Sequence, residues 1–283
     1  MKEPTVRIQK IRHDTVKNRL IIFSALAILL LLFSIFSEHL TPYDPYLQNL
    51  SNAKAPPSAE HIFGTDRYGR DMLSRVIIGS RTSIFSTLLL VAIITTGGTV
   101  IGVVCGWNGK WIDTVMMRIS DMFLAFPGLV FALAVAGVLG GGLQNAIIAL
   151  AAISWPKYAR IARSQTLAQK ETIYLRAAKL SGCRTGKIIF RHILPNIIGP
   201  ILVTSMLDIG TMMMELAGLS FLGLGAKPPA AEWGSMMSDA RSLFATAPWI
   251  TLAPGFAIFI SVMIFNLLGD SIRDYADPKN RRR

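Results

Sequence analysis

The residues with chemistry to offer lie inside an apolar run. Thr204, Asp208, Thr211 and Glu215 recur at offsets of 0, 4, 7 and 11 within the segment 197–224, which places them on one face of a helix. If that helix crosses a membrane, a central Asp costs at least about 2.5 kcal/mol on insertion scales, so both carboxylates must face a protein interior or a water-filled path. Met212, Met213 and Met214 border the stripe with soft, flexible side chains. Two readings follow: a cation-friendly conduit lined by Thr204, Asp208, Thr211, Met212 and Glu215, or structural hydrogen bonding at a seam between subunits. A tight metal site is not expected, because His13, His39, His61 and His192 are scattered and no pair has ligand spacing. Cys105 and Cys183 read as packing thiols. No Ser/His/Asp or Cys/His arrangement can be assembled, so no catalytic residue is assigned.

The elements that must position this stripe are membrane helices. Of 283 residues, 52% are hydrophobic and 16% charged, against about 25% charged in soluble domains. A crossing needs about 20 apolar residues, and six candidates appear, at 20–36, 83–106, 122–139, 143–156, 197–224 and 250–269; the fourth is short and is expected to continue past Pro156, which a membrane helix tolerates when neighbours satisfy the freed carbonyl. The expected fold is therefore an all-α membrane protein of six spans. The first apolar run lacks a small-x-small cleavage site and continues as Ser37-Glu38-His39-Leu40, so it reads as an uncleaved anchor rather than a signal peptide.

A net charge of +12 could point to nucleic acid, but the positives sit in tails and loops beside apolar runs. Residues 1–19 form a basic tail, 157–195 a basic loop, and 271–283 a second tail ending Lys279-Asn280-Arg281-Arg282-Arg283. With six spans these three fall on one side, the cytoplasm by the positive-inside rule. The outer segment 38–64 is acidic, with Glu38, Asp44 and Glu60 against Lys54. Gly98, Gly102 and Gly106, and likewise Gly128, Ala132, Ala136 and Gly140, form four-residue ladders that let helix backbones approach closely.

The stretch from Tyr174 to Asn196 is the most informative. A short helix is expected to end near Gly182, and a second helical turn to stop before Pro195. Ala177 and Ala178 leave a bare surface that suits docking into a groove of another protein; an ordinary solvated loop is the plain alternative. The segment resembles the "EAA" loop of type I ABC importer permeases, with Ala177, Ala178, Gly182, His192 and Pro195 in place and Arg176 where the family has Glu. Further stretches resemble the oligopeptide/dipeptide/nickel branch, and the shorter of its two paired permeases: Phe63-Gly-Thr-Asp66, Gly69-Arg70-Asp71, Phe126-Pro127, Leu219-Ser-Phe-Leu-Gly, Glu232-Trp233-Gly234 and Asn266-Leu-Leu-Gly269-Asp270.

That resemblance implies a type I permease bundle with its transmembrane core at 82–270, preceded by a first helix and outer segment at 20–81. It implies a second homologous permease, two ATPase subunits carrying ATP and Mg, and an extracytoplasmic substrate-binding protein, in the cell membrane. Tyr174, Arg176, Ala177, Ala178, Gly182, His192 and Pro195 would couple to the ATPase. The chain carries no phosphate-binding Gly-x-x-x-x-Gly-Lys-Ser/Thr loop of its own. The run from Leu207 through the methionines is most similar to nickel-type members, so metal or metal–chelate cargo edges ahead of peptides. Glu232, Trp233 and Asp239 in the outer loop 226–249 are read as a gate or binding-protein rim, or as a passive connector. Residues 64–81 are expected to form an outer interfacial helix held by surface ion pairs, each worth roughly 0–1 kcal/mol. The competing reading is an ion-coupled secondary transporter using Asp208 and Glu215, which inverted repeats would favour; no clear repeat is seen.

Overall fold

The computed structural model describes residues 3–276, with side chains from residue 15. Lys2, the side chains of Arg7, Lys10, Arg12 and Asp14, and everything from Asp277 onward lie outside the described residues. The α-helices among the described residues are α1 (Glu3–Ile35), α2 (Ser37–Leu40), α3 (Met72–Asn108), α4 (Lys110–Leu124), α5 (Gly128–Val138), α6 (Leu143–Lys170), α7 (Ile173–Leu180), α8 (Thr185–Ile188), α9 (Leu194–Leu219), α10 (Trp233–Asp239) and α11 (Trp249–Ala276).

Six spans were expected; length and apolar composition alone identify four, at Thr15–Ile35, Met72–Asn108, Thr185–Leu224 and Trp249–Ala276. The expected third span is broken. α4 and α5 meet at 93°, because Pro127 favours extended backbone in Phe126 and takes an extended conformation itself, with ψ 120°. The expected fourth span is the apolar half of α6, which runs unbroken through Pro156 and carries Lys157, Arg160, Arg163 and Lys170 beyond it.

The glycine ladder in α3 does what its spacing implies. A Cβ on Gly98 would lie 2.6 Å from the Trp155 carbonyl, one on Gly106 2.8 Å from the Thr166 Cβ, and one on Gly102 would strike the Ala159 carbonyl. α3 and α6 therefore touch backbone to backbone, and this is the most extensive helix pairing in the bundle. The second ladder works in part: Ala132 and Ala136 are fully buried, whereas Gly140 meets nothing and sits at the helix end.

The segments flanking the bundle separate into two ends. At one, Trp233 Nε1 donates to the Val76 carbonyl of α3 at 2.9 Å, and Arg67 pairs with Asp239 at 3.2 Å, joining the 38–71 and 225–249 segments. At the other, Lys170 Nζ donates to the Trp107 carbonyl at 2.7 Å, so the α6–α7 junction lies beside the end of α3.

The expected interfacial helix over 64–81 is not formed. Residues 64–71 are a turn, and helix begins at Met72, continuing as α3. Asp66 decides this locally: its side chain accepts the backbone N–H of Tyr68 at 2.8 Å and of Arg70 at 3.0 Å, which competes with helix. Its ion pairs are also not surface pairs. Arg70 Nε lies 2.6 Å and Arg75 Nε 3.7 Å from Asp66 Oδ2, with all three side chains at most 7% exposed. Asp71 caps α3, accepting from the Ser74 N–H and hydroxyl, both at 2.7 Å, and lies 2.9 Å from His61 Nδ1.

Candidate coupling and translocation site

α7 is short and has little of its own to bury. Leu175 is inside at 4% exposure, while Ile173 and Leu180 are 86% and 90% exposed. Two large apolar side chains are thus left bare on eight residues, uncovered by any of the described residues. Gly182 ends the helix as its position predicts, with φ 78°. The Cys183 N–H reaches back to the Ala178 carbonyl and the Gly182 N–H to that of Lys179, each at 3.1 Å. This double closure satisfies carbonyls of the last turn and needs a left-handed residue at that point.

Tyr174 holds this loop to both neighbouring helices. Its hydroxyl donates to Gln169 Oε1 at 3.1 Å and accepts from Asn196 Nδ2 at 2.8 Å, and its ring lies 6.2 Å from that of His192. Tyr174 and His192 are thus brought together. Ala177 is exposed and Ala178 half-buried, and Arg176 pairs with exposed Glu171 of the same chain. Pro195 does not stop a helix. A π-helical turn at Ile189–Ile193 absorbs the missing N–H, Pro195 falls in the first turn of α9, and the helix continues.

Midway along α9 the stripe divides. Thr211 is exposed, Thr204 and Glu215 are half-buried, and Asp208 is 6% exposed. Asp208 is turned into α6, where Lys157 Nζ lies 2.6 Å from Oδ1 and the Tyr158 hydroxyl donates to Oδ2 at 2.8 Å. Each carboxylate oxygen is met by one of two adjacent residues. Met212 is buried at 6%, and Met214 is the exposed methionine of the three, at 55%.

At the far end Glu232 and Trp233 also turn inward, both 2% exposed. Glu232 caps α10, accepting the N–H groups of Gly234 at 2.9 Å and Ser235 at 2.8 Å, and Ser83 donates its hydroxyl to the same carboxylate at 3.3 Å. These two side chains hold α10 onto α3; Asp239 is half-exposed and pairs with Arg67. Among the described residues no cluster of three or more His, Cys, Asp or Glu side chains could hold a metal ion.

Lys157 and Tyr158 were missed in the sequence. Continuation of the fourth apolar run past Pro156 is expected and α6 does run on for fourteen residues, from Lys157 to Lys170, but nothing local in the sequence marks Lys157 and Tyr158 as partners of Asp208.

A model of the family described as the binding-protein-dependent transport system inner membrane component matches residues 98–282. The chain belongs to that family. A second model, the N-terminal transmembrane domain of oligopeptide transport permease C, matches residues 8–57 of this permease. It is 44% identical over 264 residues to the dipeptide transport system permease protein DppC of Alkalihalophilus pseudofirmus, covering 93% of this chain and 87% of that one. It is 41% identical to the nickel transport system permease protein NikC of Escherichia coli K12, covering 93% and 94%, and 40% identical to the glutathione transport system permease protein GsiD of Pectobacterium atrosepticum, covering 89% and 84%. The inward-facing MetNI methionine ABC transporter superposes with a TM-score of 0.56 at 17% identity, over 73% of this chain and 98% of that one, a likeness of fold. The permease is a multi-pass membrane component of an ABC importer.

Proposed function

We propose that this permease forms half of a translocation path with a second homologous permease, driven by two separate ATPase subunits that hold ATP and Mg. An extracytoplasmic binding protein delivers the cargo to the end formed by 38–71 and 225–249, with Asp239 and Arg67 at the contact rim. Both termini are cytoplasmic. The observation that carries the reading is the α7–Gly182–α8 turn, whose bare Ile173 and Leu180 flank the Ala177-Ala178 surface. Apolar side chains that large need a groove to cover them.

The cargo proposed is a short peptide. Dipeptide and glutathione permeases are among the relatives at 40–44% identity, and Lys157 already answers the charge of Asp208, which removes half of the paired carboxylates a cation conduit would need. A nickel complex is the second reading, favoured by the 41% identical nickel relative. The ion-coupled secondary transporter finds no support, since one of its two carboxylates is committed to Lys157.

Co-expression with the presumed ATPase subunits tests this directly. They should co-purify with the permease, Gly182→Trp should abolish that capture, and proteoliposomes carrying the full assembly should take up tritiated dialanine only with ATP. Uptake by the lone permease would refute the reading.

A further inference from the structure

α6 delivers the chain into the coupling loop, and α9 carries it back out. One ion pair, Lys157 with Asp208, joins them, and among the described residues no other ion pair does. We infer that this pair, with Tyr158, is a positioning element that locks α6 and α9 in register, so that movement of α7 and α8 reaches the path as a single displacement. The inference rests on the proposed coupling role of that loop.

The geometry argues for a lock rather than an incidental contact. Asp208 offers two oxygens, and adjacent residues of α6 take both, at 2.6 and 2.8 Å. Apolar faces of two helices can slide over one another at little cost. A buried carboxylate with both oxygens engaged cannot slide without losing a partner where water does not replace it. The lock is also placed to act. Lys157 is followed by thirteen residues of α6 to Lys170, about 20 Å of helix, before the loop begins. Glu215 stands seven residues beyond Asp208 on α9, about 10 Å further along. The pair therefore lies between the loop and the open part of the polar stripe. The Lys157 side chain is 52% exposed although its amine is engaged, while Asp208 is at 8%. Its partner is held inside while the lysine stem borders open space, so the lysine can be replaced without opening a cavity in the core.

A double-mutant cycle tests this in the assembled transporter, using Lys157→Met, Asp208→Asn and the two together, with Lys157→Arg as the charge-conserving control. The readout is cargo taken up per ATP hydrolysed in proteoliposomes, with tritiated dialanine as probe and nickel–histidine if dialanine is not carried. Each single variant should keep its ATPase subunits but lower the ratio ten-fold or more. The double variant should be no worse than the worse single, because both remove one unit, and Lys157→Arg should stay near the parent. A single variant within two-fold of the parent, losses that multiply in the double, or loss of ATPase capture by the single variants would each overturn the inference. If the unmodified permease captures no ATPase, the functional reading fails and takes this inference with it. Capture together with unaffected single variants sinks the inference alone.

Discussion

Replacing Gly102 by alanine should destabilise the permease relative to the same change at Gly97, five residues earlier on the same helix. Both substitutions gain about 1 kcal/mol of helix propensity. Gly97 has nothing within 4 Å of the new methyl, so that gain is all it feels. At Gly102 the methyl meets the Ala159 carbonyl and lies 2.8 Å from the Ala162 Cβ, and the helices must separate. Overpacking of this kind costs about 1–3 kcal/mol. Gly102→Ala should therefore come out between neutral and about 2 kcal/mol destabilising, and Gly97→Ala about 1 kcal/mol stabilising. Unfolding by SDS in mixed micelles, followed by the fluorescence of Trp107 and Trp155, measures both. Equal midpoints for the two variants would show that α3 and α6 do not approach as closely as described.

Asp66→Asn leaves buried Arg70 and Arg75 without their shared carboxylate and should cost about 3–5 kcal/mol, read as a large drop in the detergent melting temperature; an unchanged melt would mean the cluster is solvated. Gly182→Ala forces a side chain into the left-handed region, at about 1–2 kcal/mol, and should weaken ATPase capture roughly five- to thirty-fold, measured by titrated pull-down; undiminished capture would mean the turn is not held in its described form when docked.

Local signals in the sequence carried over well and long-range ones did not. The Gly98–Gly102–Gly106 ladder and the Gly182 turn are set by what a missing Cβ allows, so their spacing alone located them. The Thr204–Glu215 stripe was visible too, but which of its members faces open space depended on Lys157, 51 positions away from Asp208, and no helical period links the two. Glu232 reads in the sequence as part of an outer gate or rim; in the fold it caps α10 from inside, a position where Ser, Thr, Asp and Asn are more usual, with Ser83 supplied by a distant helix. Asp66, Arg70 and Arg75 carry charge in a pattern that reads as solvated helix, and only the folded turn reveals that they satisfy one another indoors. Pro195 marked a boundary in the sequence because the local rule ignores that a widened turn can absorb a proline.

The unbroken run from Thr185 to Leu219 amounts to a rod about 50 Å long, against a hydrocarbon thickness of about 30 Å. Pivoting such a rod by 5° sweeps its tip through roughly 4 Å, close to the width of a peptide backbone. A tilt of a few degrees about the α8 end thus becomes a displacement of several ångströms at the Leu219 end. Inserting one or two residues between Leu194 and Asp208 would turn the Thr204–Glu215 stripe by about 100–200° against α6 and part Asp208 from Lys157.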